Sequence, residues 1–205
     1  MQTYIIHGKG TLGYAYIFWL LAALALGVSG WHGGPAEAAW ALPIVAAIAL
    51  IGWALWWNPR LEVNDAGLRV VNVFKIHEIP WSDLARVEQH YGLFLHVTST
   101  KRRVGIWAIP QRSSIRELKA GVNGEVSHDD EKIEWENAAE PSAGSNNYAR
   151  KTMSLTQAAA AIEERHTALK SNKSLRGKRA RTSINTASLI AFAAIALLLL
   201  YVVLR

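Results

Sequence analysis

Between Arg60 and Ile109 apolar residues recur at period two, at Leu61 and Val63, Leu68 and Val70, Val71 and Val73, and Leu93, Leu95 and Val97. This is the spacing of strands that bury one face. The phase slips by one residue between Val70 and Val71 and leaves Asn72 on the face that Leu68 and Val70 share, which predicts a bulge or bend. Turn chemistry separates the runs. In Asn64-Asp65-Ala66-Gly67, Asp65 is expected to bond its own backbone and Gly67 to take positive φ, closing a hairpin. Pro80 is expected to end the third strand, since it has no N–H for a ladder. Asp83 or Ser82 then caps the turn while Trp81 packs the core. Ser99 to Arg103 forms a polar, basic tip, and the pattern yields about six strands in roughly fifty residues.

The segments around this region are apolar. Residues 13–30 (GYAYIFWLLAALALGVSG) and 38–57 (AAWALPIVAAIALIGWALWW) carry no charge and are joined by the Gly/Pro loop WHGGPAE. Each approaches the length that crosses a hydrocarbon core of roughly 30 Å, which predicts a transmembrane helical hairpin over 13–57. Val28-Ser29-Gly30 also fits a signal-peptide cleavage site, but the second span close behind favours a retained helix. Trp31 and Trp40 would mark one interface of the membrane, and Tyr14, Tyr16, Trp56 and Trp57 the other. Residues 187–204 (ASLIAFAAIALLLLYVVL) form a third candidate span.

Between strands and third span the chain turns polar. Gln111–Ala120 reads as a short helix, and residues 121–150 as a solvated, mobile insertion with Ile133 and Trp135 as its apolar anchors. Ser154-Leu-Thr-Gln157 has capping-box spacing, and Leu155, Ala158, Ala159, Ile162 and Leu169 share one helical face, so residues 151–170 are expected to hold a closing helix. Residues 171–186 read as a basic juxtamembrane linker.

Arg60-Leu-Glu-Val with Asp65-Ala-Gly-Leu-Arg, followed by Ile79-Pro-Trp-Ser-Asp-Leu-Ala-Arg-Val-Glu88, resembles the bacterial pleckstrin-homology (PH-like) domains of membrane-anchored proteins, particularly those of actinobacteria. The resemblance covers roughly a quarter of the chain, and Pro80, Trp81, Ser82 and Asp83 are its most specific part. It implies a bent antiparallel β-sandwich or partly open barrel over 58–120, closed by a helix. No strand pattern follows Ala108.

Charge sharpens the picture. The chain has 22 Lys and Arg against 16 Asp and Glu, and its excess of six equals the acid-free run Lys170, Lys173, Arg176, Lys178, Arg179 and Arg181. The footprint of a nucleic-acid reader would lie on the folded domain, so nucleic acid is not an expected partner. Nearly all Lys and Arg lie between Arg60 and Arg181, which predicts that residues 1–12 and the PH-like domain are cytoplasmic and the C-terminus is outside, in a multi-pass protein of the inner membrane. Lys173, Arg176, Lys178, Arg179 and Arg181 are the expected juxtamembrane contacts to anionic phospholipid. Lys101, Arg102 and Arg103 are candidates for lipid or phosphate contact at a strand tip.

Catalytic signals are weak. With no cysteine, thiolate zinc sites and cysteine catalysis are excluded. His77, His90 and His96 lack the spacing of a zinc site, and Asp129-Asp130-Glu131 lacks the pattern of a calcium loop, so neither metal nor cofactor is expected. Ser82-Asp83 has no nucleophile elbow. Gly8-Lys9-Gly10-Thr11 resembles the end of a phosphate loop but abuts an apolar span, with no strand pattern before it. The expected molecule is an α+β membrane protein of three spans and one PH-like domain, not an enzyme. Its expected role is that of an adaptor or accessory subunit of an envelope or respiratory membrane complex, with other membrane proteins as partners. An anionic-lipid-responsive module is the alternative, and a small transporter or enzyme subunit a third reading.

Overall fold

A computed structural model describes residues 3–8, 10–89, 92–109, 148–169 and 178–204. The expected helix over Gln111–Ala120, Ile133, Trp135, Lys173 and Arg176 lie outside these residues, as does most of the polar insertion.

The expected strands form. They are β2 (Arg60–Asn64), β3 (Gly67–Val71), β4 (Lys75–Pro80), β5 (Leu84–Glu88), β6 (Phe94–Val97) and β7 (Arg103–Gly105), with a 3-10 turn at Trp81–Asp83. Three further strands join them: β1 (Thr3–Gly8), β8 (Tyr148–Met153) and β9 (Arg181–Ile184). One sheet has the order β8-β1-β2-β3-β4-β9, and the other β5-β6-β7. All pairs are antiparallel except β1 with β8, which align from Thr3 opposite Tyr148 to Gly8 opposite Met153.

Three segments thus carry strands that their sequence reading did not predict. Residues 1–12 contribute β1, the basic linker contributes β9, and β8 spans the end of the expected insertion and the start of the expected closing-helix segment, which becomes helical only at Leu155. Strands β1 and β9 are short and mixed in polarity, and partners from distant chain hold them in place: Ile6 lies opposite Leu61, and His77 opposite Thr182. The expected bulge at Val70–Val71 is also corrected. The β3–β4 register is regular, and the apparent phase slip marks the end of the strand, where the Asn72 N–H bonds the Lys75 carbonyl at 2.9 Å to close a turn. Val70 and Val71 are both buried, and only Val70 belongs to the core shared by the two sheets. The irregularity lies in β5 instead, between Leu84 and Arg86.

In the β2–β3 hairpin it is the Asn64 side chain that accepts the N–H groups of Ala66 and Gly67, at 2.9 and 3.0 Å. Asp65 instead reaches Arg165 at 2.6 Å. Gly67 is required by close approach, since a Cβ there would lie 2.3 Å from the Ile79 carbonyl oxygen.

The core gathers Tyr4, Ile6, Leu61, Val63, Leu68, Ile79, Trp81, Leu95 and Ile109 from both sheets. Helix α2 (Leu155–Leu169) packs onto it through Ala158, Ala159 and Ile162. Its start is the capping box read from the sequence: the Gln157 N–H donates to Ser154 Oγ at 3.2 Å, and the Ser154 N–H to Gln157 Oε1 at 3.0 Å.

Helix α1 (Thr11–Gly52) is broken at Gly34, whose φ of 71° and ψ of −167° reverse the chain. Only glycine adopts such a conformation readily, and Pro35 then begins the returning arm. The arms run back against each other: Trp19 Nε1 donates to the Ala49 carbonyl at 3.1 Å, and the Phe18 and Trp56 rings lie 4.8 Å apart. The second arm ends in a π-helical turn, Trp53–Trp57, in which the Asn58 N–H reaches the Trp53 carbonyl. Helix α3 (Thr186–Leu204) packs on this hairpin, and the buried positions of these helices are mostly alanines, Ala15, Ala22, Ala47, Ala54 and Ala191, which permit close approach. Their outer faces stay apolar and exposed, with Leu20, Leu24, Val203 and Leu204 each at least 60% accessible. Two helical stretches, Thr11–Trp57, which includes the reversal at Gly34, and Thr186–Leu204, are long and apolar enough to cross a membrane.

Candidate functional site

Strand directions give the domain two ends. The near end, beside the helices, is built from Thr11, Asn58, Asn72–Lys75, Trp107 and Asn185. Asn58 Nδ2 donates to Ser188 Oγ at 2.8 Å, Asn185 Nδ2 to the Asn72 carbonyl at 2.8 Å, and Trp107 Nε1 to the Leu55 carbonyl at 2.8 Å. The far end lies one strand length away, roughly 15 Å. It holds the Asn64–Gly67 turn, Trp81–Asp83, the turn at Thr98–Arg102, and Lys178–Ala180.

Asp83 builds the far end. It is buried, and its carboxylate accepts the Ser99 N–H at 2.8 Å, the Ser99 hydroxyl at 2.5 Å and the Ala180 N–H at 2.7 Å. Its own carbonyl accepts the Thr98 N–H at 2.8 Å. The residue read as a turn cap therefore ties together three segments distant in sequence. Trp81 is fully buried beside it, with Nε1 donating to the Asn64 carbonyl at 2.9 Å and its ring stacked 6.3 Å from that of His166. Pro80 is the last residue of β4, opposite Gly67, and Ser82 lies within the 3-10 turn.

The two basic clusters of the sequence meet at this carboxylate. Lys101 and Arg102 are exposed just beyond Ser99, and Lys178 and Arg179 just before Ala180. Lys101 turns the chain with φ of 51°. Arg103 is engaged otherwise, 4.2 Å above the Phe94 ring and 3.6 Å from Glu88. Glu88 also bonds His96, and this hydrogen bond, aided by the charges of His96, Arg103 and Arg86, holds its carboxyl below the usual range. Lys178, Arg179 and Arg181 line an open groove of about 860 Å³ with Asn64, Gly67 and Pro80.

Lys178, Arg179 and Arg181 are near α3 in sequence but not in space, because β9 runs from Arg181 opposite Glu78 to Ile184 opposite Lys75 and separates them from the helix. The Lys101–Arg103 tip is at the same far end. The titratable groups beside the helices are other residues, of which the sequence reading weighed only His77. On one side, buried Glu62 lies between Arg60 at 2.7 Å and Arg69 at 3.0 Å, next to His7 and Trp57. On the other, Lys75 and His77 border an apolar mouth between the two sheets. Burial, helped by the Lys75 charge, lowers the His77 pKa from its ordinary value, and His77 Nδ1 shares a 2.9 Å hydrogen bond with Thr182.

The Gly8–Thr11 stretch does follow a strand, contrary to expectation, but polar groups of Gly8 and Thr11 are used internally. The Gly8 N–H and the Thr11 hydroxyl both donate to the Ala108 carbonyl, at 2.8 and 3.1 Å.

Residues 58–118 match the family model of the bacterial PH domain, a span that contains β2 to β7. No curated protein and no solved structure matches the chain. Strands β1, β8 and β9 and helix α2 lie outside the matched region and complete the fold around it.

Proposed function

We propose that this chain, which carries a bacterial PH domain, is a non-catalytic membrane-anchored adaptor, an accessory subunit that presents the far end of the domain to another membrane protein of an envelope or respiratory complex. The observation that carries the reading is the convergence of Lys101, Arg102, Lys178 and Arg179 on the Asp83 knot, at the end opposite the apolar helices. A domain tethered by helices at one end needs no lipid affinity to stay at the membrane, so its opposite end is free to meet a partner with acidic surface. Membrane insertion is supported by the exposed leucine and valine faces of α1 and α3, which are too extensive for a water-facing surface. A cytoplasmic position for the domain is supported by the concentration of Lys and Arg between Arg60 and Arg181.

The test is purification of the full chain in mild detergent with identification of what co-elutes in constant ratio. A stoichiometric membrane partner is expected, released by combined Lys101→Glu, Arg102→Glu, Lys178→Glu and Arg179→Glu substitution without loss of the fold. Elution alone, or a partner indifferent to these changes, would sink the adaptor reading. A second reading, a module responsive to anionic lipid, is favoured by the near end instead of Lys101–Arg103, and is taken up next.

A further inference from the structure

The mouth between the two sheets opens at the near end, with a volume of about 840 Å³, within the range of small-molecule sites. Phe74 and Trp107 stand at its border, 57% and 52% accessible, although both are large and apolar. Each is fixed to a helix: the Phe74 ring stacks on Phe192 of α3 at 5.4 Å, and Trp107 bonds the Leu55 carbonyl. Trp56, from the end of the hairpin, continues the wall. Asn72 holds the mouth in shape, donating from Nδ2 to the Gly105 carbonyl at 2.7 Å and accepting the Trp107 N–H at 2.9 Å. Leu93, Phe94 and Ile106 form the depth of the site.

The polar chemistry of the site is one-sided. Its described lining contains Lys75 and His77 but no carboxylate. Among the described residues no acid pairs with Lys75. His77 is biased to its neutral form by burial and by Lys75, so the charge at the mouth resides on the lysine. An apolar cleft with one cation at its border fits an amphiphile with an acidic head. Because Thr11, Leu55 and Trp56 of the hairpin line the cleft and Phe74 at its border stacks on Phe192 of α3, the source of that amphiphile is the bilayer around these helices.

We propose that this mouth binds an anionic glycerophospholipid of the adjoining leaflet, with the Lys75 ammonium on the phosphate and the upper acyl segments against Phe74, Trp107 and Leu93. The proposal rests on membrane insertion of the helices but not on the adaptor role, and it uses none of the cations of the far end. An ammonium near an anionic surface contributes about 1 kcal/mol, so removal of the Lys75 charge is expected to reduce occupancy about fivefold.

The full chain would be reconstituted in nanodiscs containing either phosphatidylglycerol or phosphatidylcholine, each carrying a photoreactive diazirine on the upper acyl chain. Crosslinks would be mapped by peptide mass spectrometry. With phosphatidylglycerol, adducts are expected on the outer faces of α1 and α3 and also on Leu93–Phe94 and Ile106–Trp107. The adducts at the mouth should fall at least about fivefold in Lys75→Glu, which reverses the charge instead of only removing it, be retained in Lys75→Arg, and be weaker with phosphatidylcholine in the native chain. Helix adducts should be the same in every variant. Adducts confined to the helices would overturn the proposal and leave insertion standing, whereas absence of adducts from the whole chain would remove insertion as well. Equal labelling of the mouth by both lipids, or labelling indifferent to Lys75→Glu, would overturn the assignment to an anionic headgroup.

Discussion

Asp83 shows how one side chain can hold several backbones. Its carboxylate takes three hydrogen bonds from Ser99 and Ala180 in a buried setting, and hydrogen bonds to charged groups are worth about 1.5–3 kcal/mol each. Asp83→Ala is therefore expected to lower stability by about 3 kcal/mol or more and to speed hydrogen exchange at both Ser99 and Ala180, which a purely local cap would not do. Gly67→Ala is expected to cost about 1–3 kcal/mol by overpacking, because its new Cβ would meet backbone at Ile79 and Pro80, which no side-chain rotation relieves. Thermal unfolding of the detergent-solubilised chain checks both. His77 and Glu88 set a pH response. Both have folded pKa values below their ordinary values of 6.5 and 4.5, so the unfolded chain binds protons more readily and acid favours unfolding. The His77 contribution is complete above pH 6.5 and lost as pH falls through its folded pKa; the Glu88 contribution is complete above 4.5 and lost in the same way. A proton titration followed by NMR should place the His77 midpoint below 6.5, and a midpoint above it would contradict the burial assigned to the ring.

At the scale of elements, β2 to β7 were legible in the sequence because alternation and turn residues coincide there: the Asn64–Gly67 turn, Pro80 and the Ser99–Arg103 tip each sit where the strands end. The Ser154–Gln157 box marked the start of α2 for a similar local reason. Strands β1 and β9 were not legible. Thr3–Gly8 and Arg181–Ile184 lack clean alternation, and their conformation is fixed by pairing with Glu62 and Glu78 and their neighbours, information that no local window contains. The candidate sites followed the same division. The basic residues were visible as charge, but Asp83 as their common anchor and Lys75 beside an apolar mouth depend on contacts across the fold. Because β1 is an interior strand, Ile6→Pro would remove a ladder donor between β8 and β2. It is expected to expose the amides of β8 as well as those of β1 in hydrogen exchange. Protection retained in β8 would mean that the parallel pair is not held through β1.

For the whole molecule, pairing of β1 with β2 requires both feet of the helical hairpin on the same side of any membrane it enters, and pairing of β4 with β9 brings the start of α3 to that side too. On the proposed membrane reading, this would give an even number of crossings before the PH domain. The chain has no cysteine, so single replacements report without background. In oriented vesicles His32→Cys and Leu204→Cys are expected to react with a membrane-impermeant thiol reagent from one face, and Arg102→Cys only from the other. Reaction of all three from one face would end the three-span reading.

The parallel partnership of β1 and β8 also imposes an order of synthesis. Thr3–Gly8 is translated ahead of the apolar hairpin, yet Met153, the partner of Gly8, emerges about 145 residues later, a delay on the order of ten seconds at ordinary elongation rates. During that interval the strand must wait unpaired on one edge beside an apolar hairpin that has already emerged. A chaperone or the insertion machinery itself would find its earliest client in these six residues, and ribosome profiling of factors bound to the nascent chain should register that engagement ending only when Tyr148–Met153 has emerged.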